Sequence, residues 1–269
     1  MDTRGKREAE ATDDRGNRLG GTMSLVMVSK EETTVHGDAE SEGAADLALD
    51  YFGGLSGRET GSEAFVLDQQ QGVSGARFYP VDQFQLVLGI SRAKYDRLVV
   101  SPLILHYVDA FTSYVPPAEE NPPLWLYTCR AEPAPLVSLL PTDNDQPSFR
   151  GRRNISVDVF EVRSIRAYGN RGVHVSSLIP EEEDGLRAER IVADSGAEID
   201  LPSTHGTSGQ FVFVSKGSIL HGQREYAFES LGWMKADEAS QNICAGKVGA
   251  ECLIMRFPYP PSRTIRLAS

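Results

Sequence analysis

The hydrophobic residues of this chain fall in short runs from Phe65 onward, and turn residues separate the runs. The runs are rich in Val, Ile, Phe, Tyr and Leu, and they cover residues 84–88, 98–107, 124–127, 155–162, 209–214, 218–228 and 251–257. Gly, Pro and Asp lie between them, as in 116–123 and 141–147. Many short strands without interleaved helices predict an all-β fold, a sandwich or a barrel rather than a βαβ fold.

The beginning of the chain lacks this pattern. No aromatic residue precedes Tyr51, and charged residues, Gly, Ser, Thr and Ala dominate the first 46 positions. Such a stretch buries too little apolar surface to offset the entropy of ordering it, so we predict a mobile tail over 1–46. Met23 opens a more apolar segment, which is an alternative start of the protein or an added edge strand. The loop 141–151 predicts a boundary between an N-terminal half, 47–150, and a C-terminal half, 151–269.

The two halves share a local pattern. Gln83-Phe84 begins an apolar run that ends at Gly89, and Gln210-Phe211 begins one that ends at Gly217. A repeat of this kind indicates a duplicated β unit.

Composition and charge narrow the class of protein. The 269 residues suffice for two domains of ordinary size, and no apolar run approaches the roughly 18 residues that a spanning helix needs. Three cysteines without a CxxC pair suit a reducing compartment. A net charge of −11 disfavours nucleic acid and anionic lipid as partners. We therefore expect a soluble cytoplasmic protein with a small-molecule substrate and no nucleic-acid or membrane partner; a homodimer stays open.

The spacing around the repeated pattern resembles that of the cupin superfamily. The first cupin motif runs Gly, His-x-His, three or four residues, Glu, six residues, Gly. In that frame the C-terminal half supplies Gly196, Ser203, His205, Gln210 and Gly217, and the N-terminal half supplies Arg77, Tyr79, Gln83 and Gly89. The resemblance covers roughly 65–260. It implies two cupin-like halves, each a double-stranded β-helix or jelly roll, in one bicupin-like chain.

The departures from the motif bear on metal binding. The family's histidines and Glu hold a divalent ion, but here Ser203 and Gln210 stand at two ligand positions of the C-terminal half. In the N-terminal half the ligand positions carry Arg77, Tyr79 and Gln83, and an arginine there repels a cation. We therefore expect neither a metal nor another cofactor.

Several polar residues are candidates for chemistry in a barrel. His205 is either a general acid or base at the barrel mouth or a former ligand now bonded in a loop. Tyr79 and Arg77 share a strand face and would bind a carboxylate or enolate, unless Arg77 lies at the rim. Gln83 and Gln210 face inward in this frame, where they orient a substrate carbonyl or satisfy buried backbone groups.

Two more candidates lie on predicted strands. His106 ends one strand and either pairs with Asp109 for catalysis or is a capped histidine at the core edge. If 218–226 is one strand, His221 and Glu225 share a face and form an acid/base pair or an ordinary solvated surface.

Together these residues favour a small-molecule enzyme of specialised metabolism. The hypothesis is a metal-independent acid/base isomerase, lyase or cyclase acting in a β-barrel cavity. Its catalytic residues would be His205, Tyr79, His221 and Glu225, and its substrate-binding residues Arg77, Gln83, Gln210 and His106. Two alternatives remain: a non-catalytic small-molecule-binding or sensing cupin, and a metal-dependent cupin dioxygenase or lyase with unusual ligands.

Overall fold

The computed structural model describes residues 25–36, 48–53, 61–69, 79–89, 103–114, 124–134, 153–160, 166–167 and 172–259. Over these ranges the regular structure is β-strand apart from one 3-10 turn at Lys30–Glu32. The strands are β1 (Leu25–Val28), β2 (Thr34–His36), β3 (Ala48–Asp50), β4 (Glu63–Gln69), β5 (Gln83–Gly89), β6 (Leu103–Val108), β7 (Leu124–Arg130), β8 (Asn154–Asp158), β9 (Arg166–Ala167), β10 (Val173–Ile179), β11 (Arg187–Ala193), β12 (Glu198–Leu201), β13 (Gly209–His221), β14 (Arg224–Ala227), β15 (Leu231–Lys235) and β16 (Gln241–Arg256). The predicted all-β class is confirmed.

The strands form two antiparallel sheets, one for each half. The N-terminal sheet has the order β2-β3-β4-β7-β5-β6-β8. The C-terminal sheet has the order β1-β15-β13-β16-β11-β10-β9, with β12 paired to β16 and β14 paired to β13. The predicted boundary after residue 150 is displaced, because β8 hydrogen-bonds to β6 of the N-terminal sheet.

The segment 25–36 corrects the prediction of a mobile tail over 1–46. Strand β1 pairs with β15 of the C-terminal sheet, and β2 pairs with β3 of the N-terminal sheet. Alternate side chains of β1 explain why it is held: Leu25 and Met27 are 1% and 7% exposed, whereas Val26 points to solvent. The rest of the predicted tail lies outside the described residues.

A shared apolar core joins the two sheets. Phe84 and Leu86 on β5 lie in one cluster with Phe211 and Phe213 on β13. The ring of Phe257 contacts both sides, with centroids 5.0 Å from Phe84 and 6.0 Å from Phe211. The repeated Gln-Phe pattern thus places the two phenylalanines at the junction of the halves, and the alternation of a strand turns the two glutamines the other way.

The faces that point away from this junction differ between the halves. In the C-terminal half, apolar side chains of β1, β10, β11, β13, β15 and β16 fill the barrel together with Ile199 and Leu201 of β12. In the N-terminal half, the corresponding face carries a charged pair and several amides, as described below. The buried ion pair of Arg130 with Glu63 and the buried His106 both lie in the N-terminal half.

Arg153 forms ion pairs with carboxylates of both halves at the edge of the junction. Its guanidinium lies 2.9 Å from Asp109 of the N-terminal half and 2.7 Å from both Glu182 and Asp184 of the C-terminal half. Part of the acidic run 181–184 therefore pairs across the junction.

Candidate functional site

The inner face of the N-terminal half is built by register. Glu63, Arg130 and Gln83 lie abreast on β4, β7 and β5. One step along the strands, Thr128 and Gln85 lie abreast, and Gln85 faces His106 on β6. All six side chains are buried. Two rows of polar groups are thus held where a barrel usually has apolar residues.

Arg130 is the charged centre of this face and is 1% exposed. Its Nη1 donates to Glu63 Oε2 at 3.1 Å, and its Nε donates to Gln83 Oε1 at 3.3 Å. The guanidinium also stacks on the ring of Tyr79, 4.2 Å from the centroid. Because a buried ion needs a paired and hydrogen-bonded partner, these contacts account for how the charge is tolerated here.

His106 sits in a network of neutral groups next to Arg130's row. Its Nδ1 lies 3.2 Å from Gln85 Oε1 and its Nε2 lies 2.8 Å from Asn154 Oδ1. Gln85 Nε2 donates to the hydroxyl of Tyr114 at 2.9 Å. Burial lowers the pKa of His106, although the contact with Asn154 opposes the shift. A neutral imidazole donates from one nitrogen only, so His106 donates to one of these two amide oxygens.

Tyr114 ends this network. Its ring meets His106 edge-on at 5.5 Å, and burial raises the pKa of its phenol to about 12. The phenol is therefore protonated at neutral pH. Close by, Gln83 Nε2 has no hydrogen-bond partner among the residues described. Sequence reasoning singled out Gln83 and His106 but missed Arg130, Gln85 and Tyr114; strand alternation from Gln83 to Gln85 was the available signal.

The described residues of the two halves do not bring together the donors that a divalent metal needs. Arg130 occupies the centre of the N-terminal face, and a cation there would be repelled. In the C-terminal half, Ser203 Oγ donates to the carbonyl of Glu238, and Gln210 Nε2 donates to the carbonyl of Pro202 at 3.0 Å. Across the described residues, no three His, Cys, Asp or Glu side chains lie close enough to hold an ion. The described side chains at these positions do not fit a divalent metal ion.

His205 lies in an exposed turn and is not enclosed in the barrel. Its side chain is 68% exposed on the turn before β13, where Gly206 reverses the chain. Its Nδ1 lies 3.8 Å from Asp237 Oδ1. Both Gly206 and Asp237 border a cleft of about 360 Å³ between the halves. The turn carries the imidazole away from Gln210, which is fully buried inside the C-terminal barrel.

His221 and Glu225 do not share a strand face, so that prediction is wrong. Gly222, at φ 62°, reverses the chain between β13 and β14. His221 Nε2 contacts the carbonyl of Leu25 at 3.1 Å, whereas Glu225 accepts a hydrogen bond from Ser218 at 2.5 Å. Each has a structural contact of its own.

The other predicted residues have mixed outcomes. Gln83 and Gln210 are both buried, 1% and 0% exposed. Tyr79 is also buried, and its ring stacks on the guanidinium of Arg130, which is already paired with Glu63. Arg77 lies outside the described residues. Asp109, weighed as a partner of His106, instead accepts from Tyr107 and Arg153.

The C-terminal half has a cleft of about 480 Å³ that the sequence did not reveal. It opens between strands β10 and β11 on one side and β12 on the other. Its lining comprises Val173, Val175, Arg187, Glu189, Ile191, Glu198, Ile199, Asp200, Leu201, Pro202 and Ser240. The size and the mostly apolar lining with a few polar groups are typical of small-molecule sites. The only sequence signal for this cleft was the alternation of acidic and apolar residues in 198–201.

Comparison with known structures bears on the fold. A protein from Nostoc punctiforme PCC 73102, named as a candidate dioxygenase, superposes with a TM-score of 0.57 over 94% of both chains at 8% identity. The 11S allergen of Cocos nucifera gives 0.52 over 87% of this chain and 89% of its own, at 10% identity. Oxalate decarboxylase from Bacillus subtilis gives 0.52 over 89% and 78%, at 10% identity.

The fold is that of a bicupin. This agreement extends over both halves and confirms the predicted pair of cupin-like units, while identities of this size say nothing about activity. No protein-family model matches the sequence, and no curated protein matches it. Within the part of this bicupin fold that the structure describes, no helix is long and apolar enough to cross a membrane.

Proposed function

We propose that the protein is a metal-independent, small-molecule-binding bicupin whose ligand occupies the C-terminal cleft. The cleft carries the proposal: about 480 Å³, floored by Val173, Val175 and Ile191 and edged by charged groups. No histidine lines it, and His205, His221 and Glu225 lie elsewhere. Among the alternatives drawn from the sequence, this geometry supports binding or sensing better than acid/base catalysis.

Because the floor of the cleft is apolar, we expect a mostly apolar ligand. Val173 and Ile191 are 7% and 3% exposed, so the floor is continuous with the barrel core rather than a surface patch. Covering such a floor contributes roughly 25 cal/mol for each Å² of apolar area removed from water.

Filling the cleft tests the proposal. Val175 is only partly buried at the cleft, so Val175→Trp fills the space with little effect on the core. We expect it to weaken binding of the neutral fluorescent probe N-phenyl-1-naphthylamine at least about tenfold, which corresponds to roughly 1.4 kcal/mol. Val248→Trp is the control, because Val248 is 84% exposed and is not one of the residues that line the cleft. Equal probe binding by the wild type and both variants would refute the proposal.

A second candidate function is the metal-independent isomerase, lyase or cyclase in the N-terminal half. The observation in its favour is the network of His106, Gln85 and Tyr114, in which a neutral imidazole and a protonated phenol are linked by one amide. Such a pair accepts and donates protons at neutral pH. A metabolite extract incubated with the wild type and with Tyr114→Phe, and compared by mass spectrometry, tests it. Identical profiles would remove this candidate.

A further inference from the structure

Two strands supply the charged residues that line the C-terminal cleft, but only β11 turns them toward the apolar floor. On β12, Glu198 and Asp200 are exposed and alternate with buried apolar residues that pack in the barrel. Both of these carboxylates therefore point away from the floor. Charged side chains that face a ligand on the floor come from β11.

Arg187 and Glu189 lie on the same face of β11 as Ile191, which forms part of the floor. Alternation places residues 187, 189 and 191 on one side of the strand, and all three line the cleft. Ala188, between the two charged residues, points the opposite way into the core that joins the halves. The side chains of Arg187 and Glu189 are only 25% and 13% exposed. A guanidinium and a carboxylate thus stand, partly screened from water, beside the place where a ligand covers the floor.

The charges on this face compensate one another. Glu189 accepts a close hydrogen bond from Nη2 of Arg187, and Glu181 lies 3.3 Å from its Nη1. Glu181 also accepts from Arg256, which lies abreast of Arg187 on β16. Two guanidinium groups therefore meet two carboxylates, and the cluster has no net charge. Because a guanidinium has five N–H donors and these contacts use one on each terminal nitrogen, Arg187 keeps donors for a ligand.

Resting on the function proposed above, we infer that the polar end of the ligand is a neutral group that accepts from Arg187 and donates to Glu189, as a carboxamide does. The apolar body of the ligand lies on Val175 and Ile191. A donor and an acceptor side by side on one strand match the carbonyl and the NH₂ of such an end, and no further charge has to leave water. A carboxylate end would be attracted by Arg187 but repelled by Glu189, and an ammonium end would meet the reverse.

Three ligands with one skeleton test the class. 3-Phenylpropanamide, 4-phenylbutan-2-one and 3-phenylpropanoate share a phenethyl group on a carbonyl carbon, which carries NH₂, CH₃ or O⁻ in turn. Calorimetric titration of the full-length protein at pH 7 should rank the amide first, the ketone second and the carboxylate last. The amide should bind about tenfold more tightly than the ketone, which is the size expected for one hydrogen bond to a charged acceptor.

Neutralising Glu189 should change this selectivity. Glu189→Gln keeps the shape of the side chain and can still accept from Arg187, but it leaves the charge of the guanidinium uncompensated. The carboxylate should therefore bind about tenfold more tightly to this variant than to the wild type, and the amide should bind less tightly. Glu251→Gln is the matched control, because it removes the same charge from an ion pair with Arg190, on the opposite face of β11. It should leave all three affinities unchanged.

The outcomes separate this inference from the function on which it rests. The inference fails if the amide does not bind more tightly than both the ketone and the carboxylate. It also fails if Glu189→Gln weakens all three ligands alike, or if Glu251→Gln shifts the selectivity as much. In each of these cases Val175→Trp should still weaken binding of the naphthylamine probe, whereas the absence of that effect would refute the proposed function as well.

Discussion

Removing the charge of Arg130 should destabilise the N-terminal half strongly. In Arg130→Met the side chain keeps a similar length, but Glu63 is left as a buried carboxylate, only 5% exposed, without its partner. Breaking a buried ion pair in this way costs about 3–5 kcal/mol. The loss of the cation stacked on Tyr79 at 4.2 Å adds about 1 kcal/mol. We therefore expect a loss of about 4–6 kcal/mol.

The partner variants separate the charge from the packing. Glu63→Gln alone leaves the guanidinium unpaired and should also cost about 3–5 kcal/mol. The double variant Glu63→Gln with Arg130→Met removes both charges, so it should cost clearly less than the sum of the two single changes, by about 2 kcal/mol or more. A non-additivity of this size is the signature of a pair whose members stabilise one another.

Urea unfolding followed by tryptophan fluorescence measures these differences. The chain has two tryptophans, Trp125 on β7 of the N-terminal sheet and Trp233 on β15 of the C-terminal sheet, so single-tryptophan variants report on one half each. The midpoint seen by Trp125 should fall more than that seen by Trp233. Strictly additive single and double variants would refute the reasoning, because they would mean that water reaches the pair and screens it.

Three further outcomes are expected. Because burial lowers the pKa of His106, the unfolded chain binds a proton at this imidazole more readily than the folded chain, and the free energy of unfolding should fall as the pH drops below about 6.5. In urea titrations, His106→Gln should flatten this pH dependence, whereas the control His174→Gln, at an exposed histidine, should not. In thermal unfolding, Gly217→Ala should lower the free energy of unfolding by about 3 kcal/mol or more, because the added Cβ would lie 2.2 Å from the carbonyl oxygen of Gly249. Gly196→Ala, at a similar φ but with open space around the Cβ, should lower it by only about 1–2 kcal/mol. Arg153→Ala should lower the free energy of unfolding by about 2–4 kcal/mol, and clearly more than Arg224→Ala at an exposed ion pair. Equal losses would contradict the role of Arg153 at the junction.

The strands were predictable because their residues alternate or run apolar over lengths that only a sheet accommodates. Gln83-Phe84 and Gln210-Phe211 open equivalent strands β5 and β13, and in both the Phe enters the junction while the Gln turns inward. That much follows from period-two alternation and needs no knowledge of neighbouring strands.

The site was harder to predict, since its members meet only through register. Arg130 is the last residue of β7 and lies 47 positions from Gln83, and nothing local marks the two as neighbours. His221 was misplaced for a local reason. Gly222, which follows it at positive φ, turns the backbone where a continuing strand was expected.

The placement of β1 sets an order of events for the newly made chain. Leu25 pairs with Met234, so the first strand of the C-terminal sheet leaves the ribosome roughly 200 residues before the strand that it must join. Until then Leu25 and Met27 have no barrel to enter, and the whole N-terminal half is synthesised in between. Contacts so distant in sequence slow folding because a long loop must close first. The C-terminal barrel should therefore reach its final form only after synthesis is nearly complete, and an expressed fragment that begins after β1 should expose the open edge of β15 and aggregate.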